Sequence, residues 1–298
     1  MKKRTNKKSV GDIISQMIVY LFLGFYLVCL FTPFVWGFLT SFKSFLYFSD
    51  HSLFELPDEW MWSNYTKVLK YLTITYSSTT TKLTYNLGNM MLNSLWYALA
   101  SGLSATVCIY VVAYARNMYA QFKIVAVIDV IVLVTMSFPM VGSLPSSIAL
   151  FKALGLYETF FGMTFIAKFS FLTMYYFIVG AFIKSIPKAF VEAASIDGAG
   201  ELKTFNQIVF PMIKPGVGAL AIFTFINSWN DYFMQLIMLS STKNLTISLG
   251  IAKMQAENST DFGLIMAGAA FAAVPIIIVF LIFQKYFTKG ITMGAVKG

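Results

Sequence analysis

From Met17 to Thr40 the chain carries no charged side chain. A helix rises 1.5 Å per residue, so a stretch of that length reaches about 36 Å, enough to cross the roughly 30 Å hydrocarbon core of a bilayer. Five further apolar stretches follow, and the six together cover roughly 14–41, 90–114, 124–142, 160–183, 216–239 and 262–284. The pattern predicts an all-α, polytopic membrane protein with six transmembrane helices. Only 12% of the residues are charged, about half of what a water-facing surface takes. An aromatic share of 17% suits rings gathered at both membrane interfaces. No series of alternating ten-residue strands suggests an outer-membrane barrel.

Orientation follows from the basic residues, which cluster in cytoplasmic loops. With the N-terminus inside, the inner segments hold Lys2, Lys3, Arg4, Lys7, Lys8, Arg116, Lys123, Lys184, Lys188, Lys203, Lys214, Lys285, Lys289 and Lys297. The outer segments hold half as many: Lys43, Lys67, Lys70, Lys82, Lys152, Lys243 and Lys253. N-in, C-in is therefore expected. The first apolar run is too long for a signal peptide and reads as a retained anchor. The chain then divides into a cytoplasmic basic stretch (1–13), a first span (14–41), an outer loop (42–89), a five-span core (90–284) and a cytoplasmic tail (285–298). Within the outer loop Leu53, Leu56 and Trp60 stand among acids, and a short amphipathic or re-entrant piece is expected there.

The inner connection 184–215 is the most informative. Pro187 suits the first turn of a helix, and Phe190, Ala193, Ala194 and Ile196 follow at roughly helical spacing. Asp197-Gly198 favours a break, because glycine takes the positive φ that ends a helix. A second short helix is expected from about Gly200 to Val209, with Pro211 and Pro215 closing the segment. The product is a helix–turn–helix on the cytoplasmic face, with small residues where a partner could approach.

On those residues the chain resembles the permease subunits of bacterial ABC importers. Glu192-Ala193-Ala194, Asp197-Gly198-Ala199 and Ile208-Val209-Phe210-Pro211 are similar to the family's cytoplasmic coupling loop. The resemblance to the smaller permease of the maltose and oligosaccharide importers covers the chain in order. It takes in Leu56-Pro57, Asn64-Tyr65, Asn93-Ser94, Ala113-Tyr114-Ala115-Arg116, Gly155-Leu156, Trp229-Asn230-Asp231 and the tail from Gln284 to Gly298. It implies a coupling helix that docks on an ATPase, with Glu192 fixing it by a salt bridge or cap and Gly198 making the turn. It also implies that Met293, Gly294, Ala295, Val296, Lys297 and Gly298 reach between two ATPase subunits. One departure is Gln235, where many members carry a proline, which puts the kink of the fifth helix in question.

The implied assembly has a second homologous permease, two cytoplasmic ATPase subunits and an external solute-binding protein, all serving a carbohydrate. ATP and magnesium would belong to the ATPase, with no cofactor in this chain. No phosphate-binding Gly-x-x-x-x-Gly-Lys-Ser/Thr occurs, in keeping with a transport subunit rather than an enzyme. His51 is the single histidine, and Cys29 and Cys108 sit in apolar runs, so neither catalysis nor a metal is expected. The net charge of +9 comes without a nucleic-acid motif.

Polar groups inside the membrane are functional candidates because a central lysine or aspartate costs about 2.5–3.5 kcal/mol. Asn227, Asn230, Asp231 and Gln235 recur at spacings of three or four, hence on one face of the fifth helix. With Trp229 and Tyr175 they could line a sugar path, and helix–helix hydrogen bonding is the alternative. Lys168 would snorkel or pair with Asp231. Asp129 is expected to meet a neighbouring polar group.

Overall fold

A computed structural model describes residues 10–47, 51–52, 54–77, 82–137, 140–166, 172–239 and 244–295. Among them four helices are long and apolar enough to cross a membrane: Gly11–Thr40, Leu87–Met118, Glu201–Asn230 and Phe262–Lys285. The chain is therefore a multi-pass membrane protein. The third expected span is the fifteen-residue helix α4 (Lys123–Ser137). Within the fourth the described residues form a π-helical turn (Gly162–Ile166) and α6 (Leu172–Lys184). Lys168 lies outside the described residues.

The remaining elements are α1 (Val10–Thr40), α2 (Ser63–Tyr71), β1 (Ile74–Ser77), β2 (Lys82–Tyr85), α3 (Leu87–Met118) and α5 (Met140–Ala153). After α6 come α7 (Lys188–Ile196), α8 (Glu201–Thr204), α9 (Phe210–Asn230), α10 (Phe233–Leu239), α11 (Ile247–Glu257) and α12 (Phe262–Ala295). Two sequence expectations change here. The all-α class admits one antiparallel hairpin, with Ile74 opposite Tyr85 and Ser77 opposite Lys82. Its strands belong to a run rich in threonine and tyrosine, residues that favour a pleated backbone. In the same outer loop, Leu56 and Trp60 are exposed on irregular chain, and the helix forms later, as α2. Leu53 lies outside the described residues.

The chain separates into two compact units. One contains the residues up to Lys70 together with Gln255–Phe271. Its organising side chain is Asn64, which is buried and donates to the Ser41 carbonyl at 3.0 Å and the Lys43 carbonyl at 2.8 Å. These bonds satisfy backbone left open where α1 ends. Phe42 packs edge-on against Trp60 and Trp62, and Tyr65 bonds Ser41 at 2.8 Å. Gly263 is required here, because a Cβ would fall 2.3 Å from the Lys43 carbonyl oxygen. The body of α1 exposes Phe22, Phe25, Phe31 and Phe34, a surface suited to lipid.

The other unit, Tyr71–Met254 with the chain from Ala272, is built on α3 and α9. The helix α3 starts at a capping box, in which Asn89 N–H donates to the Asn86 side chain at 3.0 Å and Asn86 N–H returns the bond. Lower down, α3 and α9 approach so closely that a Cβ on Gly102 would lie 3.2 Å from the Phe225 nitrogen. At this crossing Thr106 and Thr224 hydroxyls stand 3.3 Å apart, and Thr224 also reaches the Gly102 carbonyl at 3.3 Å. Small residues and hydroxyl glue are what hold helices together where lipid removes the hydrophobic drive. Next to it Ile109, Tyr110 and Ala113 of α3, Tyr176, Val179 and Ile183 of α6, and Val209, Ile213 and Leu220 form one buried cluster.

The crossing yields a graded expectation. Gly102→Val inserts atoms against backbone and should cost about 1–3 kcal/mol, lowering the thermal midpoint in detergent by several degrees. Thr224→Val removes the interhelical contacts to Gly102 and Thr106, worth about 0.6 kcal/mol, along with hydroxyl bonds to the Leu220 and Ala221 carbonyls of its own helix, and should lower it far less. Equal effects in the melting curves would refute the backbone-contact account.

Candidate coupling segment and polar pathway

Pro187, with φ −59° and ψ 127°, leads into α7. The helix ends at Asp197, and Gly198 follows at φ +73°. Ala199 N–H then donates to the Ala194 carbonyl at 2.9 Å and Gly198 N–H to Ser195 at 3.2 Å. This is the paired bonding of a glycine-closed helix end, so the turn expected at Asp197-Gly198 forms through the left-handed residue. Ala194 is buried, whereas Glu192, Ala193, Asp197 and Gly198 are exposed. Among the described residues Glu192 has no ion pair or cap, so the intrachain salt bridge implied for it does not form. On the same helix Phe190 is half exposed and Ile196 is 85% exposed.

The following stretch departs from expectation. Instead of closing at Pro211 and Pro215, the chain runs as one helix from Glu201 to Asn230. The five residues Phe205–Val209 take π-helical bonding, which accommodates a proline that has no N–H to give. Pro211 enters in the first turn of α9 and Pro215 lies within it. The coupling segment is thus continuous with a membrane-crossing helix.

The C-terminal end of α3 grips that continuation. Tyr119 donates its hydroxyl to Glu201 at 2.7 Å, and Tyr114 packs against Phe205 with centroids 4.6 Å apart. The Glu201 carboxylate raises the Tyr119 phenol above its ordinary pKa. Three residues from Tyr119, Arg116 makes a two-pronged contact with Asp129 of α4, Nε and Nη2 each donating at 2.7 Å. Tyr176 of α6 donates to the same carboxylate at 2.6 Å, and the guanidinium lies over the Tyr176 ring at 5.3 Å. Gly180 clears the space, since a Cβ there would meet Arg116 Nη1 at 3.0 Å. Asp129 thus has the polar neighbours expected of it, and they tie α3, α4 and α6 together. The Tyr119–Glu201 bond was not readable in the sequence, because 82 positions separate the two residues.

The polar stripe is not one helical face. Asp231, at φ −74° and ψ 99°, terminates α9, and Gln235 belongs to the separate helix α10. The break occurs without a proline at 235. Asp231 caps α10 by accepting from Met234 N–H at 3.2 Å and takes a second bond from the Tyr97 hydroxyl at 3.2 Å. Trp229 is buried, donates Nε1–H to the Ala272 carbonyl at 3.1 Å and stacks on Phe225. Its surroundings are packing. Asn227 is exposed and donates to the Tyr175 hydroxyl at 3.0 Å, and Asn230 is also exposed. Gln235 is fully buried; its carbonyl accepts from Thr246, while Nε2 has no partner. Asn93 and Ser94 of α3 fix the chain beside it by bonds to Leu245 and Ile247. In the tail α12 extends to Ala295, and Val296, Lys297 and Gly298 lie outside the described residues. No group of metal-ligating side chains occurs among the described residues.

Comparison with known proteins adds to this geometry. Residues 105–293 match the family described as "Binding-protein-dependent transport system inner membrane component". The chain is similar to the melibiose/raffinose/stachyose import permease protein MelC of Bacillus subtilis, with 33% identity over 72% of this chain and 77% of that one. It is also similar to the arabinooligosaccharides transport system permease protein AraQ of the same organism, with 30% identity over 72% of this chain and 76% of that one. In fold it matches a chain of a bacterial ABC transporter involved in the import of the acidic polysaccharide alginate. The TM-score is 0.72 at 22% identity, covering 95% of this chain and 100% of that one.

The Arg116–Asp129 pair gives a second expectation. A fully buried pair costs about 3–5 kcal/mol when one partner is removed, and partial exposure should bring Asp129→Ala to about 2 kcal/mol. Removing Arg116 as well should recover part of that loss in a double-mutant cycle of detergent melting. Strictly additive losses would mean the two side chains stabilise independently.

Proposed function

The chain belongs to the binding-protein-dependent transport system inner membrane component family, and from that premise we propose that it forms half the translocation path of a carbohydrate importer. It is a transport subunit; ATP and magnesium are handled by separate ATPase subunits. The sugar assignment, an oligosaccharide, rests on the transport named for its relatives together with the maltose-type sequence features. The assembly comprises a second, homologous permease, two cytoplasmic ATPases and an extracellular solute-binding protein, in the plasma membrane of a bacterium. Six spans with both termini inside are the arrangement the basic residues favour. They use α4 and the stretch ending in α6 as the two crossings beyond the four long helices.

One observation carries the docking role. Phe190, Ile196 at 85% and Leu202 at 79% exposure all belong to one short helix–turn–helix that the lysine pattern puts in the cytoplasm. Apolar side chains gathered there call for a protein partner. Glu192 and Asp197, exposed on the same element, add charge for recognition, while Ala193 and Ala199 permit close approach. The tail from Met293 onward supplies a second contact between the ATPases. Movement of the docked α7 passes into α9 through the unbroken backbone beyond Gly200 and into α3 through Tyr119–Glu201. Nucleotide-driven closure of the ATPases would then bias a two-state opening of the bundle.

On the outer side the break at Asp231 presents exposed Asn227 and Asn230 with Tyr175 and the half-buried Asp231, groups suited to sugar hydroxyls. Buried Trp229 and Gln235 hold the break in shape, and Lys168 completes the polar set in the sequence.

Two measurements test this assignment. Ile196→Asp and Gly198→Val should remove the ATPase from the complex purified on a tag while the second permease stays bound. An ATPase retained by both variants would refute docking through this segment. With the complex in vesicles and its binding protein supplied, Asn227→Ala should lower oligosaccharide uptake several-fold without changing complex recovery. Unaltered uptake would remove that residue from the path.

A further inference from the structure

Along the second unit, α3, α9 and the part of α12 beyond Ala272 leave a groove of about 370 Å³. Leu95, Leu99 and Leu103 line one side, Phe225 and Phe283 lie across from them, and Lys214 is the one charged residue of the lining. The three leucines are exposed, so the groove opens outward from the helices rather than into the polar path. We propose that it holds one acyl chain of an anionic glycerophospholipid, whose phosphate pairs with the Lys214 ammonium.

Shape, charge and position each support this occupant. Between Lys214 and Phe225, α9 advances about 16 Å, a length along which much of one acyl chain can lie. Among the described residues Lys214 makes no hydrogen bond or ion pair. It stands toward the start of α9, leaving the rest of the groove apolar. A cavity with a single cation at one end and carbon along its length has the polarity of a lipid. A transmembrane segment of another chain would fill the apolar part and leave the cation unpaired. Lys214 also belongs to the basic cytoplasmic connection, and the cytoplasmic leaflet is where anionic lipids concentrate. The inference rests on that orientation and on no property of the transported solute. Its structural consequence is that the lipid covers the Gly102–Thr224 crossing, which would otherwise face bulk lipid at its narrowest point.

The test uses the full complex in mild detergent, titrated with phosphatidylglycerol, phosphatidylcholine or inorganic phosphate and read by native mass spectrometry. Phosphatidylglycerol should bind more tightly than phosphatidylcholine. Lys214→Gln should lower phosphatidylglycerol affinity about fivefold, the effect of one lysine facing an anionic lipid at about 1 kcal/mol. Lys214→Arg should keep the preference. Ala221→Trp, which fills the groove, should weaken both lipids, and inorganic phosphate should neither bind nor compete. Equal retention of the two lipids, or a Lys214→Gln variant that still prefers the anionic one, would overturn the proposal. Competition by inorganic phosphate would make the site one for free anion. Efficient cross-linking of Leu99→Cys to another polypeptide would make the groove a subunit contact. Each readout reports lipid or contact directly and stands whether or not the complex carries a sugar.

Discussion

Backbone meets backbone where Gly102 of α3 lies against Phe225 of α9, and the second unit is organised around that contact. In lipid, apolar side chains gain nothing by leaving the solvent, so helices associate through close van der Waals packing and through hydrogen bonds that water does not compete for. The crossing supplies both, from one glycine and two threonines. The two helices stay in contact beyond the crossing. There Ile109, Tyr110, Ile213 and Leu220 admit α6 between them, and α6 in turn brings Tyr176 to Asp129. The coupling segment inherits its position from this arrangement. Tyr114 and Tyr119, one and two turns past the cluster on α3, can reach Phe205 and Glu201 only because α9 starts beside them.

Much of the membrane character was legible in the sequence because hydropathy reports the solvent directly. The turn at Gly198 was legible for a different reason. A positive φ has few tolerant residues, and a helix pattern that stops at Asp-Gly names the position. Continuity was not legible. Pro211 and Pro215 normally mark an end, and nothing local says that a π-turn at Phe205–Val209 will absorb the missing donor. The reverse error occurred at the other end of α9. Apolar periodicity continues from Trp229 through Leu239, so a window average joins two helices that the backbone separates at Asp231. What breaks the helix is an aspartate that prefers to cap the next one, a choice made by a single hydrogen bond to Met234.

The polar residues flagged inside the apolar runs divide the same way. Depth in the membrane makes any of them expensive, yet it does not say how the expense is met. Asp129 is met by a fork of two bonds from Arg116 and one from Tyr176, a set drawn from three helices that the sequence lists far apart. Trp229 is met by the Ala272 carbonyl in α12 and becomes part of the core. Asn227 and Asn230, near the end of α9, remain exposed, and Asp231 is half-buried.

The continuity of the coupling segment with α9 bears on how force could travel. A hinged loop would let α7 move with its partner and leave the membrane helices behind, since a flexible joint transmits displacement poorly. Here a short turn through Gly198 and Gly200 separates α7 from a helix that then runs without interruption to Asn230. The π-turn is the weakest part of that rod, and it is the part that Phe205 anchors to Tyr114. Two attachments therefore bracket it: Tyr119 holds Glu201 before the turn, and the α3–α9 crossing holds Thr224 beyond it. A displacement entering at Gly200 cannot be absorbed at the π-turn without moving α3 as well. The pair α3–α9 is thus tied on both sides of the turn, and the exposed Asn227 and Asn230 lie toward the far end of the same helix.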